Sequence, residues 1–191
     1  MRAFYRPALA AVLSVPAALL AGAAEYRQAF PEETEACFIR RYDRTHLAAN
    51  PGQSVAEIVI ARDRAALRRE AIDGPEAPQL ALAVSARLRG SGRVGPEPLD
   101  CHGLTAWEVG EGGRERLQCA SACGRGDVDI LVEGPNRLVL RIGGTVEGQH
   151  LPHAIGIGRS CSRESDVVWL GDKAADRVFV LERAPTARCR P

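Results

Sequence analysis

The sequence predicts an all-β chain: a single-domain antiparallel barrel braced by disulfides, with a sandwich as the alternative architecture. Three observations carry that expectation. Apolar and polar residues alternate over much of the chain, which is the period of a strand with one wet face. Turn-forming clusters such as Gly134-Pro135-Asn136 recur at intervals of roughly 8–12 residues, a spacing that suits about eight to ten short strands. Six cysteines, an even count, all lie beyond an export-type leader, which points to disulfides rather than to metal ligation or thiol catalysis. A barrel is preferred to a sandwich because closure removes exposed edges.

Residues 1–23 have the layout of a secretory signal. Arg2 and Arg6 form a basic start, 7–20 is an uncharged apolar stretch, and Ala21-Gly22-Ala23 is a small-x-small cleavage site. Cleavage would leave 24–191 as one β-rich domain with no membrane anchor. The full chain sets 25 basic side chains against 24 acidic ones, and removing Arg2 and Arg6 leaves 23 against 24, a net charge of −1. Such a balance excludes a nucleic-acid binder driven by gross charge, and 46% hydrophobic content excludes a disordered polymer. Lys173 is the one lysine, and the arginine excess reads as compositional bias without functional weight.

Along the mature chain, 37–42 and 55–61 read as strands. They are joined by a short helical turn over 44–49, capped by Asp43 and ended by Asn50-Pro51-Gly52. Segment 63–72 has charges that suit an exposed helix but no clean apolar stripe, so it reads as a helix or a hairpin insertion. In 79–89, Leu80, Leu82, Val84, Ala86 and Leu88 share one face of a strand. Three hairpins follow. The first joins 104–109 to 116–120 around Gly110-Glu111-Gly112-Gly113, the second joins 127–133 to 137–142 around Gly134-Pro135-Asn136, and the third joins 166–170 to 177–181 around Gly171-Asp172-Lys173-Ala174. Trp107 and Trp169 read as core plugs, as large rings usually are.

The hairpin registers predict the disulfides. A turn centred on Gly112 sets Cys101 opposite Cys123. In a closed antiparallel barrel the first strand begins beside the end of the last, which pairs Cys37 with Cys189. Cys119 and Cys161 are left for each other.

Several chemistries lack their residues. There is no G-x-S-x-G for a nucleophile elbow and no G-x-x-x-x-G-K-[ST] phosphate loop. His150 and His153 are two imidazoles in a loop, short of the three or four protein ligands zinc takes. Arg125-Gly126-Asp127 reads as a turn into the next strand. A ligand carrier of the lipocalin type would show G-x-W near its first strand, and none occurs. No cofactor or metal is expected.

The densest polar constellation comprises Arg40, Tyr42, Asp43, Arg44 and His46. Read as a working site, Asp43 orients His46 while Arg40 or Arg44 holds an anion. Read structurally, Asp43 caps the helix and the arginines are solvated; the carboxylate's place ahead of a helix favours this reading. The function expected is a secreted or periplasmic, non-catalytic binding or inhibitory module of the bacterial cell envelope with a protein partner. The alternatives are a hydrolase centred on Asp43 and His46, and a barrel carrying a small apolar ligand. A filled barrel would favour the module, an apolar lumen the carrier, and a pocket over His46 the enzyme.

Overall fold

Alternation of side chains along each strand decides which face closes on which. The computed structural model describes residues 25–71, 80–103, 116–142, 145–146, 149–150, 154–158, 161 and 167–190. Its strands are β1 (Ala36–Arg41), β2 (Val55–Arg62), β3 (Leu80–Leu88), β4 (Arg93–Gly103), β5 (Arg116–Ser121), β6 (Asp127–Val132), β7 (Arg137–Ile142), β8 (Thr145–Val146), β9 (Gln149–His150), β10 (Ile155–Ile157), β11 (Val168–Leu170) and β12 (Val178–Arg183). Eight of them close into an antiparallel barrel in the order β1-β12-β7-β6-β5-β4-β3-β2, while β8-β9 and β10-β11 form two small ribbons. The expected barrel is therefore the architecture. The proposed leader 1–23, Trp107, His153 and the turn 110–113 lie outside the described residues.

Inward positions meet in one apolar cluster. Leu82 and Val84 from β3, Leu99 from β4, Leu117 from β5, Ile130 from β6, Leu138 and Leu140 from β7, and Phe179 from β12 are all buried in it, with Phe38 from β1. Short helices flank both ends of the barrel. Helix α1 (Glu25–Ala29) leads into Phe30, whose ring lies 5.3 Å from that of Phe38, and Arg183 sets its guanidinium 4.7 Å from the Phe38 ring centroid. Arg183 also donates to the carbonyl of Pro135 at 2.7 Å, and burial pushes its pKa down from the ordinary value. At the other end, helix α2 (Arg44–Ala49) follows Tyr42, which packs on the core cluster.

Helix α2 begins where Asp43 Oδ1 accepts the backbone N–H of His46 at 2.7 Å, and it ends at Asn50, whose Nδ2 donates to the His46 carbonyl at 2.8 Å. The ambiguous segment resolves as helix α3 (Arg64–Glu70), capped by Asp63 through the Ala66 N–H. Its charges divide: Arg64 and Arg68 are exposed, as an exposed helix requires, whereas Arg69 and Glu70 are partly buried. Glu70 forms an ion pair with buried Arg62, and Arg69 donates to the carbonyls of Leu82 and Leu99, tying the helix to the rim.

Four expectations are corrected. First, β5 pairs with β4, a strand of 93–103 that alternation alone did not reveal because Gly95, Pro96 and Pro98 interrupt it. Second, the β4–β5 register sets Gly103 opposite Leu117, which pairing about Gly112 does not allow; the expected strand 104–109 lies outside the described residues. Cys101 therefore faces Cys119 across adjacent strands and bonds to it, not to Cys123. Third, Cys161 accordingly bonds Cys123 instead of Cys119, whereas Cys37–Cys189 forms as barrel closure required. Fourth, β11 pairs with β10 and β12 with β7 and β1, so 166–170 and 177–181 are not a hairpin; Trp169, on β11, is 45% exposed and plugs no core.

Candidate functional site

The residues 40–46 converge at one end of the barrel. Tyr42 and His46 stack with ring centroids 4.6 Å apart and an interplanar angle of 26°, and the Arg40 guanidinium carbon lies 4.9 Å from the Tyr42 centroid. His46 Nε2 is 3.0 Å from Gln53 Oε1, and the Gln53 amide donates to the Val55 carbonyl at 3.1 Å. With that amide N–H committed to Val55, the Gln53 oxygen is the acceptor and Nε2 carries the proton. Asp43 turns its Oδ1 to the helix backbone, and Arg44 is exposed beside it. Arg89 donates to the carbonyls of Leu47 and Asn50, fixing the far end of α2. The geometry is a cation–aromatic–imidazole stack on a pinned helix.

A second constellation was not visible in the sequence. On β2 a bulge between Val55 and Glu57 breaks the alternation, so Val55 packs inward while Glu57 joins the outer face. There Arg41 on β1, Glu57 on β2, Arg87 on β3 and Arg93 on β4 form one cross-strand row, each paired in register with the next. Glu57 is 2% exposed. It accepts from Arg41 Nε, from Arg93 Nη2 at 2.6 Å and, as an ion pair, meets Arg87 Nη2 at 3.5 Å. Burial alone would raise the Glu57 pKa, but the hydrogen bonds and charges of Arg93 and Arg41 outweigh it and hold the carboxyl below its ordinary value.

Beside this row lies a groove of about 240 Å³ lined by Ala61, Ala83, Ser85, Gly95 and Pro96 and also bounded by Asp63, Arg93 and Cys189. Two features shape it. The β3–β4 ladder bulges between Val84 and Ala86, opposite Gly95, and Gly95 has φ +96° with no room for a Cβ, which would meet the Val84 carbonyl oxygen at 2.8 Å. The C-terminal turn Thr186–Arg188 and Cys189 are held against the same outer face by the Cys37 disulfide.

Other buried polar groups are structural ties. Glu97 accepts from Ser121 Oγ at 2.6 Å, Arg125 Nη1 at 3.0 Å and the Gly158 N–H at 3.1 Å, which fixes the β10 ribbon to β4. The turn Arg125-Gly126-Asp127 does enter β6, and Gly126 is required there because a Cβ would lie 2.5 Å from the Ala154 carbonyl oxygen. Among the described residues no group of three or more His, Cys, Asp or Glu is placed to hold a metal. The three disulfides fit an oxidising compartment, and no described helix is long and apolar enough to cross a membrane.

The fold and surface thus define a disulfide-stapled, closed eight-stranded barrel with an arginine row on its outside, the Tyr42–His46 stack at one end, and Glu97 with Ser121 buried on the face that carries Val84 and Leu99. No protein-family model, curated protein or solved structure matches the chain.

Proposed function

We propose that this chain is a secreted or periplasmic, non-catalytic binding or inhibitory module of the bacterial cell envelope, presenting its recognition surface on a solid barrel. The observation that carries the reading is the filled interior. Phe38, Leu82, Leu99, Ile130, Leu138 and Phe179 occupy the space where a carrier would hold its ligand. Recognition then falls to the outside, and Arg40, Tyr42, Arg44 and His46 supply an aromatic and cationic patch of the composition that anchors protein interfaces. Three disulfides support life in an oxidising compartment.

The test is capture from envelope extract with the mature, oxidised protein as bait, run beside Arg40→Ala and Tyr42→Ala baits of unchanged melting temperature. A single stoichiometric protein retained by the wild type and lost from both variants supports the reading. Stoichiometric uptake of an apolar fluorophore instead of a protein would replace the module with a carrier.

A further inference from the structure

We propose that Arg41, Arg87 and Arg93 form a binding site for a phosphate group, with the adjoining groove receiving the moiety that bears it. This deepens the binding-module reading by giving that module a ligand class at a surface other than the Tyr42–His46 stack. The argument begins with charge. Three guanidiniums surround one carboxylate, so the row carries a surplus of two positive charges. A phosphate monoester carries roughly −1.5 to −2 at neutral pH, which matches that surplus.

Geometry supplies the rest. Each guanidinium has five N–H donors in a planar fork. Arg41 and Arg87 each direct one nitrogen at Glu57, and Arg93 directs one at Glu57 and one at the Arg190 carbonyl at 2.9 Å. The remaining donors are left for a ligand, and the side chains of Arg41 and Arg87 are 49% and 45% exposed. Glu57 has its own role here. Buried and held ionised, it fixes the Arg41 and Arg93 forks by hydrogen bonds and draws Arg87 in by charge, so a bound oxyanion meets donors that are already oriented. Pre-orientation on a strand row distinguishes this cluster from arginines scattered over a surface.

The groove gives the site a direction. It is lined by the small side chains Ala61, Ala83 and Ser85, by the Gly95-Pro96 bulge and by Asp63, with Arg93 shared between groove and row. A phosphate seated on the row would lie next to a trough of small side chains whose Ser85 and Asp63 offer acceptors to the hydroxyls of a phosphate ester. The ester is either a soluble molecule or a lipid headgroup.

Calorimetric titration of the oxidised protein with glycerol 3-phosphate in low-chloride buffer at neutral pH tests the proposal. Saturable binding is expected, weakened by added chloride. Arg87→Gln leaves both hydrogen bonds to Glu57 in place and is expected to weaken binding about tenfold, the worth of one charge-assisted contact. Arg27→Gln, at an exposed pair with Glu32, serves as the control and should change nothing. Co-sedimentation with phosphatidic acid vesicles, but not phosphatidylcholine vesicles, would assign the phosphate to a lipid; saturable glycerol 3-phosphate binding without co-sedimentation would assign it to a soluble ester. Absence of both, or equal affinity in wild type and a folded Arg87→Gln variant, overturns the site. That overturning result, alongside capture of a partner through Arg40 and Tyr42, would leave the binding module standing without a phosphate ligand.

Discussion

Asp176, in the 3₁₀ turn that precedes β12, binds the start of β2 by accepting the backbone N–H of Ser54 at 2.9 Å and that of Val55 at 3.1 Å, and it also takes the Ser54 hydroxyl. The link joins residues 122 positions apart in sequence, and Asp176 is itself buried. It ties the turn ahead of the last barrel strand to the strand that carries Glu57.

Asp176→Ala leaves two backbone donors without acceptors where water is scarce. Each such group costs about 1–3 kcal/mol, so a loss of about 3 kcal/mol is expected. Asp176→Asn keeps one acceptor oxygen and should lose roughly half as much. Urea unfolding at constant m-value measures both, and an Asp176→Ala protein as stable as wild type would refute the role given to this contact.

Glu57 predicts a pH dependence with a definite sign. Its folded-state carboxyl is held below the ordinary value of 4.5 because Arg93 and Arg41 outweigh the effect of burial. A depressed carboxylate stabilises the fold fully above its unfolded pKa, and that contribution is lost as pH falls through the folded value. The difference in melting temperature between wild type and Glu57→Gln should therefore be largest at neutral pH and shrink as the solution is taken below about pH 4.5. A gap that stays constant down to strong acid would show that the carboxylate's charge is not what the arginines hold.

The parts of the fold that were legible were those where alternation runs unbroken. In β3, β6 and β7, apolar residues at every second position give both the strand and its inward face, and Asp43 announces α2 because a carboxylate ahead of a helix has a backbone role. Strand β4 was hidden by Gly95, Pro96 and Pro98, and losing it shifted the hairpin register and with it two disulfides. The arginine row was illegible for a different reason. Its members lie on four strands, and the β2 bulge reverses the face on which simple alternation would place Glu57 relative to Val55. The arginines dismissed as composition hold the outer face, the rim and the barrel end, through Arg93, Arg62 and Arg183.

Loop length ranks the three disulfides. They span separations of 152, 18 and 38 residues for Cys37–Cys189, Cys101–Cys119 and Cys123–Cys161. Restriction of the unfolded chain then gives about 5, 3 and 4 kcal/mol, in that order. Paired alanine replacements should lower the melting temperature most for Cys37 with Cys189 and least for Cys101 with Cys119. Non-reducing peptide maps provide the complementary check, and recovery of a Cys101–Cys123 peptide would contradict the β4–β5 register.

The end of the barrel around Tyr42 offers the sharpest separation of structural from functional roles. The Asp43 carboxylate is engaged by the His46 backbone N–H, while the His46 ring is held by Gln53 and Tyr42. Asp43→Ala should therefore cost about 0.5–2 kcal/mol, the usual worth of a helix cap. Asp43→Asn and Asp43→Ser should recover most of that stability, since either side chain still accepts the N–H. Because the imidazole does not depend on Asp43 for its position, partner capture should survive all three substitutions while His46→Ala weakens it. Thermal melting and capture measured on the same four proteins decide the matter: a stable Asp43→Asn variant that has lost its partner would mean that the negative charge acts on the imidazole, as in a working acid–base pair, and not on the helix alone.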